Sequence, residues 1–280
     1  MKYLVLGSSG QIGNPLCEYL KKEGHDVQEF DIQSDETQED LRNEYCLRKM
    51  VFEYKPDFVF FLAFDVGGSR YLKHYQNTTQ FLNNNVMIMK NTFQILENKK
   101  IPFIFASSQM SNMNHSSYGI LKALGEYYTK ILNGLTVKFW NVYGIERDLE
   151  KAHVITDFIL KAKNTGMIDS MTDGTEMRQF LHTDDSSNAL YTLSQKFNEL
   201  EKDKNYHITS FDWTTIKEIA YIISDSGYYP ELKIKFSDVK DGVQKGMRNE
   251  PDDFILKYWQ PKVSMHDGIK SIIDYYEEQK

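Results

Sequence analysis

The sequence predicts a doubly wound α/β fold, in which helices cover both faces of a parallel sheet. Three observations carry that expectation. Short apolar runs alternate with helix-length stretches through the first half of the chain. Several of those runs are continuously apolar rather than alternating, as strands buried on both faces are. A glycine-rich turn stands where the first run gives way to the first helical pattern.

Taken in order, strands are predicted at 3–6, 27–30, 58–62, 103–106 and 137–140, with helices at 11–22, 41–54, 77–97 and 118–132 between them. Beyond Gly144 the regularity loosens. A helix is expected over 153–163, a short strand at 180–182, a helix over 186–197 and a strand at 206–208, with the charged run 199–204 as a solvated turn. The tail reads as a helix at 215–225, a strand around 233–236 and a closing helix over 265–278. In the last, Ile269, Ile272, Ile273 and Tyr276 share one face. No internal repeat or low-complexity linker interrupts the pattern.

Composition narrows the function. With 280 residues, 41% of them hydrophobic, the chain can bury a substantial core in one large domain or two intimately packed ones. A net charge of -7 with scattered Lys and Arg argues against nucleic-acid binding, which needs a concentrated basic face. An anionic ligand must therefore be held locally. Cys17 and Cys46 both fall inside helical patterns, so they are expected in the core, and neither a disulfide framework nor a metal site is anticipated. No run approaches membrane-spanning length, and the first segment meets a glycine after four apolar residues, too few for a signal peptide. A soluble, cytoplasmic protein with no membrane partner is the expectation.

Gly7-Ser8-Ser9-Gly10-Gln11-Ile12-Gly13 lies between first strand and first helix. One glycine permits the tight turn, one lets backbone N–H groups approach a pyrophosphate, and one allows close helix–strand contact, while the helix N-terminus attracts negative charge. Gly7, Ser9, Gly10, Gln11, Ile12 and Gly13 are thus candidate contacts of a dinucleotide, and the fold becomes Rossmann-type. The second strand ends at Asp31, about twenty residues on, where an acidic group meets the adenosine ribose hydroxyls. Asp31 and the following Ile32 complete that subsite. A carboxylate repels a 2′-phosphate, and no Arg or Lys follows through Asp35, so NAD is favoured over NADP.

At the other end of the expected site, Tyr118 and Lys122 stand four residues apart on one helical face. A phenol titrating near 10 is a poor base at neutral pH, but a neighbouring ammonium stabilises the phenolate. Lys122 can supply that charge. The preceding strand ends Ala106-Ser107-Ser108 at the carboxyl edge of the sheet, where open α/β folds bind ligands, so either Ser107 or Ser108 can hydrogen-bond the reacting oxygen.

With these motifs together, the chain resembles the extended short-chain dehydrogenase/reductases, the NAD-dependent epimerase/dehydratase family that modifies nucleotide sugars. Further segments carry the likeness. Asp40-Leu41-Arg42 is similar to the family's adenine-side segment, Phe61-Leu62-Ala63 with Phe64 to the strand end over the cofactor, and Asn85-Val86 to a pair on the next helix. Phe139-Trp140-Asn141-Val142-Tyr143-Gly144 is similar to the strand-to-site turn. The resemblance implies that Phe139, Trp140 and Val142 lie at the nicotinamide with Ala106, and that Asn141 touches substrate phosphate. It also makes Arg178, and Arg248 near the end, grips for a diphosphate, a role a guanidinium suits.

Other residues bear on which member this is. The family's dehydratases carry an Asp-Glu pair after the serines, and the GDP-sugar epimerase and GDP-fucose synthase relatives a cysteine, whereas this chain has Gln109-Met110. The resemblance thus disfavours dehydration and two-carbon epimerisation, leaving oxidation and re-reduction at the sugar C4, a 4-epimerase; a 4-ketoreductase or dehydrogenase, and a non-catalytic NAD-binding module, are the alternatives. Gly68 and Ser69 lie in a loop resembling the VGG loop of the GDP-sugar enzymes, and His153 in a stretch resembling the one where GDP-fucose synthase carries its acidic histidine. Gln109, Gly68, Ser69 and His153 are therefore substrate candidates, His153 a catalytic one as well. The 109–117 loop is shorter than in most relatives.

From the resemblance, residues 1–145 plus about 180–212 form the NAD-binding domain, and about 146–179 plus 213–280 the substrate-binding region. A homodimer through helices 77–97 and 118–132 is implied. The substrate is a GDP-, UDP- or dTDP-linked sugar whose base and sugar are not legible.

Overall fold

The computed structural model describes residues 1–35, 38–113, 115–146, 149, 152–240 and 249–279, without the side chains of Ser69 and Arg70. Its centre is a six-stranded, wholly parallel sheet built from β1 (Lys2–Leu6), β2 (Asp26–Phe30), β3 (Phe58–Phe61), β4 (Phe103–Ser108), β5 (Leu135–Phe139) and β10 (Tyr206–Ile208). Across the sheet the order is β10-β5-β4-β3-β1-β2. The order reverses between β1 and β3, which opens a crevice at their carboxyl ends.

The continuous apolar runs have a direct explanation. On one face Tyr3, Val5, Phe58, Phe60 and Ile104 pack against Leu16 and Leu20 of α1 (Gly13–Lys22) and Leu190 and Leu193 of α7 (Thr183–Gln195). On the other, Leu4, Leu6, Val59, Phe61 and Phe105 meet α2 (Glu44–Tyr54), α4 (Thr79–Lys99) and α5 (Ser117–Ile131). Successive strand residues point to opposite faces, so both sets must be apolar.

A third core gathers α6 (Val154–Thr165), α8 (Ile216–Ser224) and α9 (Met265–Glu278), with Ile269, Ile272, Ile273 and Tyr276 buried on one face of α9 as its periodicity predicts. Small sheets border it: β6 (Asn141–Tyr143) with β9 (Phe180–His182), β7 (Met167–Asp169) with β12 (Lys233–Lys235), and β8 (Met177–Arg178) with β11 (Thr214–Thr215).

Several boundaries differ from expectation. Helix α1 begins at Gly13 rather than at 11, because the glycine turn runs through Ile12 before helical geometry sets in. Helix α7 begins at Thr183, capped by His182, whose Nδ1 accepts from the Asp184 amide at 3.3 Å. Helix α3 (Ser69–Tyr75) was not anticipated, since seven residues inside a polar loop show too little periodicity. Among the described residues no helix is long and apolar enough to cross a membrane.

Candidate active site

The glycine turn lies at the switch point. Gly7 has φ +87°, and a Cβ there would stand 2.7 Å from the Ala63 amide nitrogen at the end of β3, so only glycine fits. A Cβ on Gly13 would come within 2.0 Å of the Gly7 carbonyl oxygen. Gly10 differs: the nearest atom a Cβ would meet is the Gly7 oxygen at 3.4 Å, so this glycine leaves space facing outward.

Three further features fit a pyrophosphate. Helix α1 starts without a side-chain cap and without an acidic residue in its first turn, so the positive end of its dipole is left to this loop, although the Asn14 amide donates to the Gly10 carbonyl at 3.0 Å and the Leu16 amide to the Ile12 carbonyl at 3.2 Å. The buried Gln11 Nε2 and Ser8 Oγ have no hydrogen-bond partner among the described residues. Such groups are costly to leave unmade, and a bound phosphate would satisfy them.

Asp31 follows β2 and accepts the Ser9 amide at 3.0 Å and the Gln33 amide at 2.9 Å, tying the glycine turn to the ribose subsite. The Asp31 amide in turn donates to Glu39 at 2.8 Å. Two carboxylates therefore lie close together after β2, which disfavours a phosphate nearby. Ile32 is 39% exposed beside them.

Three residues assigned to the cofactor by resemblance are spent within the protein. Asp40 is held in a forked pair by Arg42 (2.9 Å), and Leu41 is buried in the second core. Asn85 is completely buried; its side chain accepts the Asp65 amide at 2.7 Å and donates to the Phe81 carbonyl at 3.0 Å. It shapes the loop of Leu62, Ala63 and Phe64 rather than reaching beyond it. Leu62 continues the β1 pairing through its amide to Leu6 (3.0 Å).

The two serines part company. Ser107 turns to Glu126 on α5, 2.5 Å away, and Glu126 pairs with Lys138 at 3.1 Å. Ser108 faces the other way, accepts the Met110 amide at 3.2 Å and is the hydrogen-bonding neighbour of the Tyr118 phenol. Of the two, Ser108 is the serine beside Tyr118.

Ser116 caps α5 by accepting the Gly119 amide at 3.2 Å, and places Tyr118 and Lys122 on its inner face. Burial pushes the Tyr118 phenol up to about 12, partly offset by Ser108. Burial pulls Lys122 down to about 7, against the attraction of Glu126. The lysine donates to the Ala106 carbonyl at 2.7 Å and lies 3.8 Å from the centre of the Phe64 ring. In this state Lys122 does not lower the tyrosine as the spacing suggested, because its Nζ is turned to Ala106 and desolvation dominates both groups.

The loop after β4 spans residues 109–116. Gln109–Asn112 forms a single 3-10 turn on which the first turn of α5 rests, so close that a Cβ on Gly119 would stand 2.3 Å from the Met110 carbonyl oxygen. The Asn249 side-chain amide donates to the Gln109 Oε1 at 2.6 Å, tying this turn to the C-terminal region. Phe139, Trp140 and Val142 are buried at the end of β5 and in β6, with the Trp140 indole donating to His207 at 2.9 Å. Asn141 donates its amide to the Gln179 carbonyl at 3.2 Å, a structural bond.

The Arg178 guanidinium donates to the Met177 carbonyl at 2.8 Å. Gly68 is buried and precedes α3; Ser69 opens that helix, and its side chain lies outside the description, as does all of Arg248. His153 is the N-cap of α6, with Nδ1 2.6 Å from Glu146. Glu126 and Glu146 were not singled out in the sequence, where each reads as an ordinary charge; the YxxxKxxxE spacing could have found the former.

A turn built for a dinucleotide and a half-buried Tyr118 beside a buried Lys122 at the same sheet edge define an NAD-linked enzyme of the short-chain dehydrogenase type. The NAD dependent epimerase/dehydratase family matches residues 3–209, and the chain belongs to that family. It is accordingly an enzyme, and its cofactor is NAD. The chain is 24% identical over 314 aligned positions to GDP-L-fucose synthase 1 of Arabidopsis thaliana, covering 98% of this chain and 93% of that one. It is 24% identical to the GDP-L-fucose synthase of Sinorhizobium fredii over 95% of this chain and 92% of that one. Among solved structures, the Thermotoga maritima UDP-glucose 4-epimerase with UDP-glucose shares the fold at TM-score 0.84 and 20% identity, covering 100% and 99% of the two chains. A GDP-6-OMe-4-keto-L-xylo-heptose reductase from C. jejuni does so at TM-score 0.84 and 19% identity, covering 100% and 98%.

Proposed function

We propose that the enzyme acts on a nucleotide-diphosphate sugar by hydride transfer at the sugar C4, as an epimerase that oxidises a C4 hydroxyl to a transient ketone and reduces it again. The observation that carries this reading is the cluster of buried Ser108 and Lys122 with half-buried Tyr118, in a chain where Ser108 is followed by Gln109 and Met110, neither of which exchanges protons. NAD, when bound, supplies the hydride acceptor. Gly7, Gly10, Gly13 and Gln11 would hold its pyrophosphate and Asp31 its ribose, while Phe139, Trp140 and Val142 would border the nicotinamide.

Tyr118 moves the proton of the reacting oxygen and Ser108 positions that oxygen. Burial penalises a lone phenolate and a lone ammonium alike, whereas the two together are neutral, so Lys122 supplies the charge once it turns to the tyrosine. Arg178 is assigned to the diphosphate, with Gly68, Ser69 and Asn141 bordering the sugar. His153 is assigned to a second proton transfer or a substrate contact.

A 4-ketoreductase is the second reading, favoured by the GDP-L-fucose synthases among the relatives and by the carboxylate at His153. Incubation with UDP-, GDP- and dTDP-hexoses and, separately, with the corresponding 4-keto nucleotide sugars plus NADH, followed by mass spectrometry and NADH absorbance, separates the two. Product formed without net cofactor consumption supports the epimerase, stoichiometric consumption the reductase, and no turnover contradicts both.

The third core, with α6, α8 and α9, supports a substrate region of residues 146–179 plus 213–280 beside an NAD-binding domain of 1–145 plus 180–212. A homodimer is also proposed. Ile120, Leu124 and Ile131 make an exposed apolar stripe on α5, beside Leu82, Val86 and Met87 on α4. Light scattering at twice the 32.8 kDa chain mass supports it and a monomeric mass contradicts it.

A further inference from the structure

Glu146 lies just beyond β6 with its side chain 6% exposed, whereas the His153 side chain beside it is 42% exposed. Burying a carboxylate is costly unless it is paired and hydrogen-bonded, so what holds Glu146 bears on its role. Its Oε1 is 2.6 Å from His153 Nδ1 and its Oε2 accepts the His153 amide at 2.9 Å. Its backbone is fixed as well: the Glu146 N–H donates to the Tyr276 hydroxyl oxygen at 3.2 Å, and that hydroxyl donates back to the Glu146 carbonyl at 2.9 Å. Tyr276 belongs to α9, so the closing helix of the chain braces a carboxylate some 130 residues earlier.

Burial alone would raise this carboxyl, but hydrogen bonds and charge from His153, with a bond from Thr156, hold it below the usual carboxylate range. An ionised carboxylate only accepts hydrogen bonds. The proton between the two groups therefore sits on Nδ1, and Nε2 of a neutral ring is left with its lone pair.

We infer that Glu146 is the positioning residue of His153: it fixes the ring in the Nδ1–H tautomer and so makes Nε2 the nitrogen offered to a ligand. The assignment of that ligand rests on the proposed function; the tautomer does not. A carboxylate serving only to tie down the first turn of α6 would need the amide bond at 2.9 Å but not the ring contact.

The test is a two-bond 1H–15N correlation spectrum of the full-length, histidine-labelled protein at a pH where the imidazole is neutral, with the His153 signal assigned by its loss in His153→Gln. The wild-type ring is expected as Nδ1–H. In Glu146→Leu, which removes both acceptors, it should shift toward the Nε2–H form that a free histidine side chain prefers. A wild-type ring in the Nε2–H form overturns the inference even if the variant does not fold, and so does a folded Glu146→Leu that keeps Nδ1–H. On whichever nucleotide sugar the wild type turns over, Glu146→Leu and His153→Gln should lose activity in parallel, by about tenfold or more. Full activity in Glu146→Leu overturns the ligand-facing role, whereas a wild type inactive on every sugar sinks the proposed function and leaves the tautomer standing.

Discussion

At the glycine turn the fold works by leaving side chains out: Gly7 abuts Ala63, Gly13 abuts Gly7, and Gly10 leaves open space, so backbone and a helix end are what the turn offers to the proposed cofactor site. At the Tyr118 centre it works by burying side chains, and their protonation follows from what surrounds them, with the tyrosine pushed up to about 12 and the lysine down to about 7. The difference is one of tolerance. A backbone site fails when any atom is added, whereas a buried charge site fails when a particular atom is removed. Both stand at the carboxyl edge of the same sheet, yet substitutions should affect them through different observables.

The largest effect is expected at the backbone site. Gly13→Val forces carbon atoms into the Gly7 carbonyl oxygen, which a Cβ would already approach to 2.0 Å, and should abolish NAD binding while costing roughly 3 kcal/mol of stability. Fluorescence titration and thermal melting check both. Tyr118→Phe should instead lower turnover by at least about 100-fold while NADH affinity stays within about threefold, since it removes only the proton carrier.

Lys122 adds a prediction with an opposite sign for stability. Its pKa is about 7 in the fold against an ordinary 10.5, so between those values the unfolded chain holds the extra proton. Stability therefore rises as pH climbs from 7 toward 10.5, and below 7, where both states are charged, the full penalty of burying this ammonium remains. Lys122→Met should abolish turnover yet raise the melting temperature of the NAD-free protein at pH 7 by roughly 3 °C, relieving a buried charge. A lower melting temperature would show that the lysine is stabilising and the burial argument wrong.

The serines give a smaller contrast. Ser108→Ala should cut kcat by about tenfold with little change in melting, whereas Ser107→Ala should spare kcat and destabilise by about 1 kcal/mol through its lost bond to Glu126.

The same contrast explains what was legible in the sequence. Gly7, Gly10, Gly13 and Asp31 could be read because each answers to local geometry at a strand end, and the alternation of apolar runs and helices gave the sheet. Tyr118 and Lys122 were legible because helical spacing puts them on one face. Their partners were not. Ser107 and Ser108 differ only in which side of β4 they face, Asn85 reads as a ligand contact until Asp65 is seen to occupy it, and Glu146 gains its role from a helix far along the chain. Short α3 and the small bordering sheets lack the length that makes periodicity visible.

The central claim, hydride transfer run by Tyr118 and Lys122 on a nucleotide sugar, is tested most directly by NADH absorbance of the purified enzyme after rapid mixing with UDP-, GDP- or dTDP-hexoses. With one of them, the wild type should show enzyme-bound NADH that forms and then decays as product accumulates, and Tyr118→Phe should show neither. Turnover by Tyr118→Phe at the wild-type rate, or product formed by the wild type with no NADH at any stage, would contradict the account.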